Sequence, residues 1–448
     1  MAMRSKHIIL VGAGLVGSLL AVFLARRGFT VTVYERRPDL RKSRISAGRS
    51  INLALANRGM AALERAGILK DLRPLLIPMA GRMIHDEQGQ TSFLSYGHRP
   101  EEVIYSVSRG GLNQKLLELA EAEGSTIHFE QNCLGVDFAN KKLKMLNETN
   151  RKEAWLDFEV VLGTDGSASH VRDAILRATG GKCVEEPLGH GYKELTIEAG
   201  ADGSFRMDER SLHIWPRGEF MLIALPNPDA SFTLTLFLPQ TGAESFATLQ
   251  DKQSVHDFFR KYFPDARDMM PDLTEQFFTN PLGNLATIWC DTWHYRGNAL
   301  LLGDAAHAIV PFHGQGMNCG FEDVVAFDQL LNDEDMPCET LFERFFAERK
   351  PNADAIATMA LENYVEMRST VRDPRFALKK VLSFALEDRF GPRFIPRYSM
   401  VMFHTMPYAQ AQQRGIIQED ILNQLTAGIS SLEQVDFSQA SRLIEQKL

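Results

Sequence analysis

Long apolar runs are missing from this 448-residue chain. No stretch approaches the ~20 residues that a membrane-spanning helix needs. Cysteine is scarce. The five, Cys133, Cys183, Cys290, Cys319 and Cys338, are scattered and odd in number. None forms a Cys-x-x-Cys pair or a Cys/His spacing suited to zinc, so reduced thiols and no metal site are expected. A basic surplus is also absent: Lys and Arg total 49 against 57 Asp and Glu, a net charge of -8. With no basic block, neither nucleic acid nor an anionic membrane is the expected partner. The start, Met-Ala-Met-Arg-Ser-Lys-His7, carries no signal-peptide pattern. What remains is a cytoplasmic globular protein, long enough for two or three domains.

The first thing present is a βαβ unit. Lys6 to Val11 is an apolar run that reads as a fully buried strand. Gly12-Ala13-Gly14-Leu15-Val16-Gly17 follows, then a helix with Val16, Leu19, Leu20, Phe23 and Leu24 on one face. A second strand, Thr30 to Tyr34, ends at Glu35. Gly12 permits the tight turn, Gly14 lets backbone approach a pyrophosphate, and Gly17 lets the helix sit close to the strand. Glu35 lies roughly 20 residues on, where an acid takes the ribose hydroxyls. The unit specifies a dinucleotide and does not separate NAD from FAD.

Two further strand-to-turn junctions follow. Val160 to Gly163 leads into Thr164-Asp165-Gly166. Ala299 to Leu302 leads into Gly303-Asp304, then a turn with Pro311, Gly314 and Gly316, and a helix from about Met317 to Cys319. Alone, each is an ordinary glycine turn. Between these junctions the chain is rich in short strands: Arg82 to His85, Ser92 to Leu94, Val103 to Val107, then Tyr192 to Ala199, Ser211 to Trp215, Phe220 to Leu225 and Phe232 to Leu238. Gln276 to Thr279 and Ala286 to Cys290 also read as strands. Pattern alone favours a surface position for Arg82 over an anion clamp. The basic loop with Arg41, Lys42, Arg44 and Arg49 reads as solvated. Beyond 331 the chain is helical, over Glu339–Arg349, Asn352–Arg372, Pro374–Phe390 and Tyr398–Gln412, with a polar amphipathic tail. The expected fold is α/β. A Rossmann-like dinucleotide domain (1–78, 108–180, 280–330) is interleaved with an antiparallel-sheet substrate domain (79–107, 181–279), and a C-terminal helical region (331–448) follows.

Together the three glycine junctions resemble the single-component aromatic-ring flavoprotein hydroxylases, the p-hydroxybenzoate hydroxylase-like family, over about residues 5 to 330. The resemblance implies tightly bound FAD, transient NADPH and a flavin C4a-hydroperoxide as oxygenating species. Segments including Gly81-Arg-Met-Ile-His85, Tyr96-Gly, Pro311-Phe-His-Gly-Gln-Gly-Met-Asn-Cys319, Glu362-Asn-Tyr-Val-Glu-Met-Arg368 and Phe394-Ile-Pro-Arg-Tyr398 resemble its kynurenine-hydroxylating branch. That likeness implies L-kynurenine and O₂ as substrates, with Arg82, Tyr96, Asn363 and Tyr398 holding the amino acid and Arg82 pairing its carboxylate. The implied flavin contacts are Val16, Glu35, Arg37, Ala54, Arg109, Cys133, Asp304, Met317 and Asn318, with Asp165 of the second junction also near the cofactor. No protein nucleophile or base is implied. Met221, Phe237, Phe312 and Met367 are candidate lining, though ordinary core is the better reading of each.

Two features depart from the branch. His313 stands where a second aromatic is common, and its role is open. The membrane-anchoring C-terminal segment of eukaryotic members is missing, so an enzyme without an anchor is expected. Two alternatives stay open: a hydroxylase of a salicylate- or hydroxybenzoate-type acid, and a non-catalytic escort protein on the same fold.

Overall fold

A parallel sheet carries all three glycine junctions on one edge. The computed structural model describes residues 7–42, 52–368 and 373–448. Arg44, Arg49 and the expected helix end at 369–372 lie outside them. The chain divides into two compact units, Met1–Leu76 with Val107–Leu188 and Leu285–Ala357, and Ile77–Ser106 with Gly189–Asn284 and Thr358–Leu448.

In the first unit the strand order is His294–Tyr295, Ala299–Leu301, Val160–Gly163, His7–Val11, Thr30–Tyr34, Thr126–His128. All neighbours run parallel except the first pair. Register aligns Val33, Leu10, Leu162 and Leu300 in one row, and all four are fully buried. Continuous apolar strands follow from burial on both faces. Parallel alignment puts Gly12, Gly163 and Gly303 at the same, carboxyl edge, where open α/β sheets bind ligands.

Close backbone packing joins the junctions. Gly12 has φ +101°, and a Cβ there would lie 2.4 Å from the Thr164 carbonyl oxygen. A Cβ on Gly17 would lie 2.0 Å from the Gly12 carbonyl oxygen. Thr164 fills the remaining gap, its hydroxyl donating to the carbonyls of Val11 (3.0 Å) and Gly12 (2.8 Å). Val16 is the wedge on the other side. Its side chain lies 3.0 Å from a Cβ built on Gly303 and 2.6 Å from one on Gly320.

A buried carboxylate locks the third junction. Asp323, on helix Gly316–Leu330, accepts from the Gly303 N–H (2.9 Å), from His307 Nε2 (2.6 Å) and from Arg349 Nε (2.7 Å). Asp323 is wholly buried, and His307 and Arg349 nearly so. His307, Cys319 and Asp323 bring metal-capable atoms within 4.8 Å of one another, but the Arg349 cation already lies on the carboxylate, so the group is an ion-pair lock. Trp293 packs on it, its ring 5.1 Å from the His307 imidazole.

The second unit is built on a seven-stranded sheet in the order Leu282–Cys290, Cys183–Ile197, Phe232–Pro239, Met221–Pro226, Ser211–Pro216, Gly81–His85, Thr91–Ser95. One face packs on helices Lys252–Tyr262 and Leu273–Thr279 through Val255, Phe259, Phe263 and Leu273. Strand Gly81–His85 is anchored at its far end. The His85 ring stacks on Trp215 at 4.0 Å, its Nδ1 meets Asp265 at 2.8 Å and its Nε2 meets His213 Nδ1 at 2.9 Å.

The helical part differs from expectation in four places. Gln276–Thr279 belongs to a helix, because Leu273 and Phe277 share its buried face. One helix, Cys338–Arg368, runs through Pro351. Ala353, Ile356, Ala357 and Ala360 are buried beyond the proline, and that packing outweighs the cost of the lost backbone donor. Pro407 divides the expected Tyr398–Gln412 helix into Arg397–Met402 and Tyr408–Leu425. The polar tail contains helix Phe437–Lys447, whose Ala440 and Ile444 are fully buried beside Leu382, Leu386 and Phe394. All five cysteines are free thiols. Among the described residues no helix is long and apolar enough to cross a membrane.

The lock predicts a pH signature. Burial pulls the His307 pKa down, but the charge of Asp323 and its hydrogen bond outweigh this and raise it. Burial likewise pushes Asp323 up, yet His307 and Arg349 bring it down to about 2. The His307 contribution is fully present below its unfolded value of roughly 6.5 and is lost as pH rises through the higher folded value. The Asp323 contribution is present above roughly pH 4 and is lost as pH falls through about 2. Thermal unfolding scans should therefore show the His307 contribution to Tm being lost as pH rises above roughly 6.5, and His307→Gln should flatten that limb. Asp323→Asn should cost about 3 kcal/mol or more, because His307 loses its charged acceptor and the buried Arg349 keeps only the carboxylate of Glu322, at 2.8 Å.

Candidate active site

The first helix, Leu15–Arg26, begins without a side-chain cap and without an acid in its first turn. Its N-terminal N–H groups and positive dipole end therefore suit an anion. A Cβ on Gly14 would meet nothing within 4 Å, so the space over this turn is open. Beside it, Glu35 is buried and accepts from the N–H groups of Ala13 (2.8 Å) and Arg37 (2.9 Å) and from Arg37 Nε (2.7 Å). Burial pushes its pKa up, but the Arg37 hydrogen bond and charge more than offset this and hold it below the usual range. Glu35 is thus an ionised acceptor fixed to the glycine turn.

At the third junction Asp304 is exposed among buried neighbours, Ala305 and Ala306 being wholly buried. The Asp323 lock behind it fixes the backbone on which it stands. Helix Gly316–Leu330 also starts with no side-chain cap and no first-turn acid. Met317 is half-buried there. Asn318 is fully buried, and its side chain works inward. Its Oδ1 accepts from Ala56 N–H (2.9 Å), and its Nδ2 donates to the carbonyls of Ala54 (2.9 Å) and Gly314 (2.7 Å). It braces the strand Asn52–Leu55 against the helix start, so only its backbone is left for a cofactor. Ala54 is half-buried, and Arg109 is exposed at the start of helix Arg109–Ala122. Two uncapped helix starts, an acid beside the glycine turn and the exposed Asp304 form a donor and acceptor set that fits an ADP-containing flavin.

Two expected contacts face inward. Cys133 is buried, and burial followed by nearby Asp165 pushes its thiol up to about 12. Asp165 accepts from Ser169 Oγ (2.5 Å) and Val171 N–H (3.3 Å), bracing helix His170–Thr179. Burial raises its pKa against those hydrogen bonds. His313 is buried in the turn Pro311–His313. In the basic loop, Arg41 pairs with Asp39 at 2.8 Å and with Glu121, while Lys42 is largely solvated.

The second unit brings Arg82, Tyr96, Asn363 and Tyr398 together. Gly81 lets strands Gly81–His85 and Thr91–Ser95 close up, since a Cβ there would lie 2.6 Å from the Leu94 carbonyl oxygen. Tyr96 N–H donates to Ala80 O at 3.0 Å, which sets Tyr96 beside that strand. The Tyr96 and Tyr398 rings stack at 5.4 Å and 10°. The Arg82 guanidinium lies 5.8 and 5.4 Å from their centres. It is 4% exposed, against the surface reading from pattern. Its Nη1 donates to Glu366 at 2.9 Å, and Asn363 Oδ1 lies 3.5 Å from Nη2. Arg82 Nε and the Tyr96 hydroxyl are buried with no hydrogen-bond partner among the described residues. Burial pushes Tyr96 up to about 12 against the pull of Arg82, and lowers Lys380 to about 7 with the help of Arg82.

Sequence reasoning missed Glu366, Lys380, Thr164 and the Asp323 lock. Glu366 was within sight, one turn after Asn363 on the same helix face. The lock joins residues 303, 307, 323 and 349, a pattern with no local spacing. Met221, Phe237, Phe312 and Met367 are all buried. The structure gives Met367 a polar role, its Sδ accepting from Asn363 Nδ2 at 3.3 Å.

The chain matches the family described as FAD binding domain over residues 6–359. It is 48% identical over 446 residues to the kynurenine 3-monooxygenase of Myxococcus xanthus (strain DK1622), covering 99% of this chain and 96% of that one. Identity to the enzyme of the same name from Stenotrophomonas maltophilia (strain K279a) is 45%, covering 100% and 98%. Among solved structures, the tetrameric form of 2-methyl-3-hydroxypyridine-5-carboxylic acid oxygenase superposes with a TM-score of 0.67 at 20% identity, covering 83% of this chain and 95% of that one. Pseudomonas aeruginosa PqsL, solved with 2-aminobenzoylacetate, does so at 0.62 and 19%, covering 82% and 97%. These two likenesses speak for the fold. With parallel strand ends, uncapped helix starts and near full-length identity in agreement, the chain belongs to the kynurenine 3-monooxygenase family of FAD-binding aromatic hydroxylases.

Proposed function

We propose that this enzyme hydroxylates L-kynurenine at the ring carbon ortho to the aryl amine. L-kynurenine, O₂, NADPH and a proton give 3-hydroxykynurenine, water and NADP⁺. FAD, when bound, takes the hydride of NADPH and activates O₂. The chain's own residues bind, orient and exclude water, and no protein nucleophile or base is assigned. Glu35 and the start of helix Leu15–Arg26 would hold the adenosine diphosphate end. Asp304 and the start of helix Gly316–Leu330 would hold the flavin end, with Val16, Arg37, Ala54, Arg109, Cys133, Asp165, Met317 and Asn318 around them. We also place the enzyme in the cytoplasm, a compartment suited to five free thiols.

The observation that carries the substrate reading is the pair of buried, unpartnered donors, Arg82 Nε and the Tyr96 hydroxyl. Such groups are costly unless a ligand satisfies them. With Nη1 on Glu366 and Nη2 by Asn363, the guanidinium Nε and the Tyr96 hydroxyl are the donors left for a carboxylate. Tyr398 and Asn363 frame the same place, and we assign all four to the amino-acid end of kynurenine.

The deciding experiment is NADPH oxidation with and without L-kynurenine, the product identified by mass. The expected result is stimulated oxidation with one oxygen atom gained by kynurenine. Stimulation that yields hydrogen peroxide alone would make kynurenine an effector. Arg82→Ala should keep its flavin yet bind kynurenine about 2–4 kcal/mol more weakly by calorimetric titration. Asp304→Ala should purify with much less flavin absorbance per protein, and a fully yellow, fully active variant would remove Asp304 from the cofactor site.

A further inference from the structure

We infer that Glu366 is the partner of the substrate's α-ammonium group, and that it selects zwitterionic amino acids over simple aromatic acids. The inference rests on Arg82 being the carboxylate clamp. Glu366 holds the Nη1 side of the guanidinium at 2.9 Å, and Asn363, on the same helix face, lies by Nη2. The unpartnered Nε is on the remaining edge. An incoming carboxylate can take Nε and the Tyr96 hydroxyl while Glu366 stays in place. Two carboxylates then share one guanidinium. A cation on the carbon next to the substrate carboxylate falls between them, so opposite charges alternate.

The charge count decides the specificity. Arg82 with Glu366 is a neutral pair, the side chains being 5% and 26% exposed. A simple aromatic carboxylate would add one uncompensated negative charge to this confined group, which is costly. An amino acid adds a carboxylate and an ammonium together and leaves the group neutral. The other cation that senses the pair is Lys380. Burial and Arg82 hold it down to about 7, so above that pH it does not supply the missing positive charge. Glu366 is the more open member of its ion pair, as a group that must accept a second cation should be.

The test is calorimetric binding to the FAD-loaded enzyme at about pH 8, above the Lys380 value of about 7. The two probes are L-kynurenine and its desamino analogue, 4-(2-aminophenyl)-4-oxobutanoate. The wild type should prefer kynurenine by ~10–100-fold, the scale of one charge-assisted contact. Glu366→Gln should lose most of that preference, with kynurenine weakened and the analogue unchanged or tighter. Glu366→Asp should restore part of it. A merely structural role would weaken both ligands together, so an unchanged ratio in Glu366→Gln overturns the inference. Binding of neither ligand by the wild type would overturn the carboxylate clamp itself, and this inference with it. Flavin absorbance of each variant verifies that it is folded.

Discussion

One buried carboxylate holds the cofactor end of this protein in order. Asp323 has three donors around it, a backbone N–H, an imidazole and a guanidinium. Each comes from a different piece: the turn before Asp304, the short helix after it, and helix Cys338–Arg368. The carboxylate is wholly buried, so it cannot trade these partners for water. Asp304 itself needs no partner from the protein to stay in place, because its backbone is fixed from behind. Val16 repeats the principle in apolar form, filling the spaces that Gly303 and Gly320 leave.

The sheet unit uses charge differently. Arg82 is buried beside two stacked tyrosine rings, and burial alone would pull its pKa down, but Tyr398, Glu366 and Tyr96 raise it. The arginine therefore stays a cation with one edge unfilled. A cation held ready in this way gives orientation without reorganisation, since the cost of burying it has been met by folding. The stacking of His85 on Trp215, with Asp265 and His213 on either side, stiffens the strand that carries it.

Local chemistry made the first unit legible. Buried parallel strands are continuous apolar runs, and glycine turns between strand and helix have few other uses. The site in the second unit was hidden because it breaks the pattern around it. On strand Gly81–His85 the arginine and the histidine are buried while Met83 and Ile84 are partly exposed. A pattern rule places the charge outside; only the likeness to known hydroxylases pointed inward. The C-terminal errors share one cause. Pro351 and Pro407 are identical signals to a sequence reader, yet one is absorbed within a helix and the other begins one. Tertiary packing decides, and no local window contains it. Asn318 shows a finer limit. The likeness named it as a flavin contact, but its side chain is spent on the protein's own backbone, and residue identity cannot say which way an amide faces.

The tryptophan packed on each network has a use of its own. Trp293 lies against His307 in the first unit, and Trp215 lies against His85 in the second. Both are wholly buried. Each unit thus contains an internal chromophore in contact with the histidine of its own polar network. Trp155 and Trp289 also lie in the first unit, so removing Trp215 leaves ultraviolet emission from the first unit alone, and the emission lost with it reports the second. The order in which the two lose their structure, and whether flavin or kynurenine protects one of them, becomes an optical question that needs no added label.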